Sequence, residues 1–222
     1  MASDELLLLR QRPDWPAAVR ELRVRAEKHG AAASAAARTY AQVYAGRRGA
    51  MVFDVVASRQ RRYEQRVLPL VDRWASEHAP GTLAIMATSP PDPVTYGLLA
   101  SEPRTMRTIA RNLVDLANRL GVDEDRACLE WAEDVRALEH AHGLDPVVGA
   151  VKGIGPALFA YLRMRCGADA LKPDVRVAKG LRALGFRVPG DQHSIMVVAR
   201  AAAAEIDFDL LTLDQLLWLD GA

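Results

Sequence analysis

Apolar side chains along this chain recur every three or four residues, and no alternation of polar and apolar residues runs long enough to form a strand. That periodicity restricts the chain to helices packed on one another, because each stripe occupies one helical face and must be buried. The clearest stripe is Met106, Ile109, Leu113, Leu116 and Leu120, opened by Ser101-Glu102-Pro103 and closed by Gly121. With 50% apolar and 26% charged residues among 222, the chain can bury a core as one domain or as two small lobes. The expected fold is all-α, a two-lobed helical bundle with a central cleft.

Start and stop signals predict the other elements. A helix over residues 15–28 has Asp14 as its cap and Pro16 in its first turn, and ends at Gly30. The alanine-rich stretch 31–45 makes a second, stopped by Gly46 and Gly49, and a third over 52–74 carries Arg59, Arg61, Arg62 and Arg66, read as a solvated face. Four prolines and Gly81 make residues 80–93 a loop and the boundary between regions 1–79 and 80–222, which are expected to pack as one compact unit. Asp123 caps a helix running through Leu129, Val135 and Leu138 to Gly143. The chain closes with a helix over 192–205 and a short one capped by Thr212. No repeat of fixed period is evident, which excludes a solenoid.

Composition narrows the chemistry. Two cysteines, Cys128 and Cys166, are too few for a disulfide framework, an iron–sulfur cluster or a structural zinc, so no metal is expected. His140 and His142 are two apart and do not share a helix face. The run Leu6-Leu7-Leu8-Leu9 is too short to span a membrane and lacks basic flanks, so a cytoplasmic chain is expected, without a membrane partner. Of 29 basic residues only four are lysines (Lys28, Lys152, Lys172 and Lys179), which leaves few amines for covalent chemistry.

The segment with most information is Val151-Lys152-Gly153-Ile154-Gly155-Pro156, followed by Ala157-Leu158-Phe159-Ala160-Tyr161-Leu162. Two glycines around one apolar residue permit a tight turn between helices, and the proline suits the first turn of the second. Amides freed at that helix start can bind an anion without a charged side chain. A helix C-cap followed by an ordinary turn explains the glycines equally well. Beyond Gly167 comes Leu171-Lys172-Pro173-Asp174-Val175-Arg176-Val177, opening a helix that ends near Gly185. The proline extends Lys172 and puts Asp174 where an N-cap would stand.

These two elements resemble the helix-hairpin-helix DNA glycosylases related to endonuclease III and the alkylbase glycosylases. The resemblance covers about forty residues, the hairpin over about 146–166 and the aspartate element over about 171–185, with a weaker echo at Leu213-Asp214-Gln215-Leu216-Leu217-Trp218. It implies a base-excision-repair enzyme that hydrolyses the N-glycosidic bond of a damaged or mismatched base in double-stranded DNA. Asp174 would be the catalytic residue, and Lys152, Gly153, Ile154, Gly155, Pro156, Ala157, Lys172 and Arg176 would contact DNA. No cofactor is implied beyond a monovalent cation that the hairpin can take. Ala157 stands where lyase members carry lysine, so a monofunctional enzyme is expected. The four-cysteine cluster of the endonuclease III branch is absent, and Lys152 replaces the usual hairpin proline. A monomer, nucleoid-associated if prokaryotic, fits that role. Two other readings stay open: a non-catalytic helix-hairpin-helix DNA-binding protein, and a helical protein unrelated to nucleic acid.

Base recognition needs an aromatic face, for which Trp15, Tyr63, Trp74, Tyr96, Trp131 and Tyr161 are candidates and equally core anchors. The net charge of +1 at first argues against nucleic acid, yet it averages opposed regions. Residues 1–73 hold 14 basic against 8 acidic groups, residues 74–150 hold 6 against 12, and residues 152–187 hold 8 against 2. The hairpin segment and the N-terminal helices are expected to wall a DNA-facing groove, with the acidic middle turned away.

Overall fold

The structure, a computed structural model, describes residues 4–219. Every regular element among them is helical, and the fold is all-α. In chain order the α-helices are α1 (Asp4–Arg10), α2 (Trp15–Tyr40), α3 (Arg48–Ala57), α4 (Leu68–Glu77), α5 (Leu83–Thr88) and α6 (Pro93–Tyr96). They continue as α7 (Glu102–Leu120), α8 (Glu124–Asp134), α9 (Pro156–Cys166), α10 (Val175–Ala183), α11 (Gln192–Glu205) and α12 (Leu210–Trp218). The chain divides into two compact units. Unit 1 joins residues 4–40 to residues 169–219, and unit 2 is the continuous segment Ala41–Ala168.

Unit 1 is built on α2, which packs along α12. The expected stop at Gly30 is not one: α2 runs straight through it, and Gly30 is buried. A Cβ there would lie 2.9 Å from Cζ of Phe208, so the glycine serves a close approach and not a cap. Leu22, Ala33, Leu181, Ala199, Leu213 and Leu216 fill the core around it, and Trp15 meets Phe186 edge-on at 4.8 Å. Helix α11 has the limits expected of it. Helix α12 is capped by Asp209, whose carboxylate accepts the Thr212 N–H at 2.6 Å; Thr212 itself lies inside the helix.

Unit 2 packs α3 against α5, α7 and α9. The helix expected over 52–74 is broken into α3, a π-helical turn over Tyr63–Val67 and α4. Gln60 takes a left-handed φ of 53° at the break. Arg61 turns inward there, donating to the Ala57 carbonyl and, through both Nη atoms, to the buried carboxylate of Glu102 at 2.7 and 2.8 Å. The arginine run is therefore only partly a solvated face. The proline-rich stretch is not a boundary loop either: α5 forms inside it, capped by Thr82, and both flanks belong to unit 2. Helix α7 buries Met106, Ile109 and Leu113 of its stripe but leaves Leu116 half-buried and Leu120 exposed, and it ends with Gly121 left-handed at φ 68°. Helix α8 ends earlier than expected, at Asp134, and gives way to a 3-10 turn over Val135–Leu138.

Candidate nucleic-acid interface

The segment expected to form the hairpin begins at Asp145, a buried carboxylate that accepts the N–H groups of Val147, Val148 and Gly149 at 2.8–3.1 Å and the indole N–H of Trp131 at 3.1 Å. Four donors on one side chain fix a single tight turn. Residues 146–150 are turns, so the expected first helix of the motif does not form as an α-helix. Gly149 lies against the preceding turn, where a Cβ would sit 1.8 Å from the His142 carbonyl oxygen. The hairpin then closes through Ile154 N–H to the Val151 carbonyl at 2.9 Å. Gly153 takes φ +100°, a conformation that disfavours any side chain, while Gly155 is extended and serves as N-cap of α9. Pro156 is the first residue of that helix.

Two carbonyls of this turn are taken by side chains. The Lys152 carbonyl accepts the Thr105 hydroxyl at 2.9 Å, and the Gly153 carbonyl accepts the Arg59 guanidinium. Among the described residues the N–H groups of Gly153, Gly155 and Ala157 have no acceptor. A Cβ on Gly155 would meet nothing within 4 Å. The result is a set of donors at the positive end of α9, on an open surface beside the exposed Lys152.

Helix α9 is held from behind by a buried polar cluster. Asp54, with no exposed surface, accepts the hydroxyls of Tyr44 at 2.9 Å, Tyr63 at 3.1 Å and Tyr161 at 3.0 Å, and faces Arg165 at 3.1 Å. Burial, and then the charge of Asp54, push the phenols of Tyr44 and Tyr63 above their ordinary range, which keeps them as donors. Arg163, also on α9, is buried and donates to the Ala132 carbonyl at 2.9 Å. Two of the eight cations counted in the hairpin segment are thus interior groups and not surface charge.

Beside the hairpin lies a groove of about 490 Å³. Ser101, Arg104, Thr105, Thr108 and Asn112 line one side, and Pro146, Ala150, Val151 and Lys152 the other. Asn112 ties the walls together, donating to the Val147 carbonyl at 2.7 Å. Arg59, Arg104, Thr105 and Asn112 were not legible as parts of this surface. The only sequence signal was that Arg59 lies in a basic run and that α7 begins with basic and hydroxyl residues at helical spacing.

Asp174 belongs to unit 1. It caps α10, accepting the N–H groups of Arg176 at 2.9 Å and Val177 at 3.1 Å, with Nζ of Lys172 at 3.6 Å. Its side chain is 27% exposed. The Lys172 N–H donates to the buried carboxylate of Asp214 at 3.3 Å, and the Arg176 guanidinium stacks 3.5 Å above the Trp218 ring. Lys152, Gly153, Ile154, Gly155, Pro156 and Ala157 are brought together in unit 2, and Lys172, Asp174 and Arg176 in unit 1. Of the six candidate aromatics, Trp15, Trp74, Tyr96, Trp131 and Tyr161 are buried core residues; Tyr63 alone is half-exposed.

No group of His, Cys, Asp or Glu among the described residues could hold a metal ion, and no helix there is long and apolar enough to cross a membrane. No protein-family model, curated protein or solved structure matches the chain.

Proposed function

We propose that this chain is a monofunctional DNA N-glycosylase of the helix-hairpin-helix type, acting on a damaged or mismatched base in duplex DNA. The observation that supports the reading is the turn ahead of α9, where the Lys152 and Gly153 carbonyls accept from Thr105 and Arg59 while the amides of Gly153, Gly155 and Ala157 meet no acceptor among the described residues. Such amides take backbone phosphates without reading sequence. The target nucleotide leaves the stack at a cost of a few kcal/mol, least for a damaged or mispaired base. The bond between C1′ and the base nitrogen then breaks, its electron pair leaves with the base, and positive charge develops on the sugar. The Asp174 carboxylate stabilises that cation and accepts the proton of the water whose oxygen bonds to C1′. The capping bonds from Arg176 and Val177 fix the carboxylate, and its exposed side gives access. A monovalent cation at the hairpin would rely on main-chain oxygens, of which those of Lys152 and Gly153 already accept from the protein.

Asp174→Asn tests the assignment. Asparagine caps a helix about as well as aspartate, so the fold is retained while the charge is lost. Measured by abasic-site formation on a panel of duplexes each carrying one lesion, excision falls by about 10²–10⁴-fold and the unfolding midpoint barely moves. Unchanged excision would remove Asp174 from the mechanism. One observation favours a second reading: the capping bonds and Lys172 give Asp174 a complete structural role. A non-catalytic DNA-binding protein needs no more than that. Duplex binding without product from any lesion on the panel would select it.

A further inference from the structure

We infer that one face of α7 extends the DNA contact beyond the hairpin, gripping the sugar–phosphate backbone through Arg104, Arg107 and Arg111. The inference rests on the proposed DNA-binding role. At 3.6 residues per turn the three side chains fall within about 60° of the helix surface. All three are exposed, and among the described residues none has an acidic partner. Arg73 and Arg126 behave differently, each meeting a glutamate four residues on at 2.8 and 2.6 Å.

For the helix alone this placement is unfavourable. Arg104 stands in the first turn, where the macrodipole is already positive, and Arg107 and Arg111 are like charges one turn apart. An external polyanion removes both costs. Arg104 lines the groove whose far wall carries Lys152, and Arg107 and Arg111 continue along the helix surface beside it, so the three arginines adjoin the groove edge of unit 2. Arg104 and Arg111 are separated by about 10.5 Å of helix rise, long enough to follow a stretch of duplex backbone. Asp115 follows on the same face and ends the basic stretch. Helix α7 carries no aromatic residue on which an unpaired base could stack, which favours a duplex backbone over a single strand.

The test compares the full chain with a variant carrying Arg104→Gln, Arg107→Gln and Arg111→Gln together, titrated onto intact and lesion-bearing duplexes over a salt series. The expected result is a slope of log affinity against log salt shallower by about 2–3 and the same loss on both duplexes. The three corresponding lysine substitutions keep the charge and restore the slope, which separates electrostatics from misfolding. Salt-dependent binding by the unsubstituted chain with no change in the glutamine variant would overturn the α7 contact and leave the DNA role standing. No binding by the unsubstituted chain would overturn both.

Discussion

Asp54 and Arg165 form a buried ion pair that three tyrosines complete, and the whole cluster stands behind the helix that presents the hairpin. Asp54→Asn removes one charge and leaves a guanidinium buried without its counter-charge. Such a change costs about 3–5 kcal/mol, to be read as a lowered midpoint in denaturant unfolding monitored by tryptophan fluorescence. Ala157 bears on chemistry. It supplies no amine at the hairpin, so borohydride fails to trap the protein on lesion-bearing DNA; efficient trapping would mean that Lys152 or Lys172 forms a Schiff base. These single-residue roles were unevenly legible. Pro156 at a helix start and Asp174 as a cap follow from local rules that the sequence displays. Asp54 and Arg165 lie on different helices, and nothing in the order of residues shows that they meet. The same holds for Arg59 on the Gly153 carbonyl.

Among the elements, glycine is where local rules and packing part. Gly30 and Gly49 both look like stop signals beside an alanine-rich stretch, yet each sits inside a helix. At Gly49 the reason is the contact between α3 and the start of α5: a Cβ would lie 2.2 Å from the Thr82 carbonyl oxygen, and the Ala50 N–H donates to the Gly81 carbonyl at 3.1 Å. Gly49→Ala should raise helix propensity by about 1 kcal/mol and still destabilise the protein by about 2–3 kcal/mol net, because the obstacle is backbone. A thermal melt decides it; an unchanged or raised midpoint would mean that α5 yields without cost. Helices with an apolar stripe and a capping residue, such as α7 and α11, were legible almost to their ends. The break after α3 was not, because its cause is the inward turn of Arg61 to Glu102, a residue on another helix.

At the scale of the molecule, the all-α class was legible because periodicity is a property of every segment, whereas the division into units depends on which segments meet. Residues 4–40 and 169–219 hold no signal of their partnership. Counting charge by sequence block misled for the same reason. The block with 6 basic and 12 acidic residues contains the exposed arginines of α7, while three of its acids, Glu102, Glu139 and Asp145, are buried. Unit 2 is one uninterrupted stretch whose ends adjoin, a Cβ at Gly167 lying 3.4 Å from that of Ala41. Unit 1 is split around it. As the polypeptide leaves the ribosome, residues 41–168 emerge as a complete set that can close on itself, while α2 still waits for α10, α11 and α12. Helix α2 thus acquires its core only after unit 2 has been made, and during that interval its apolar face is the surface a nascent-chain chaperone would meet.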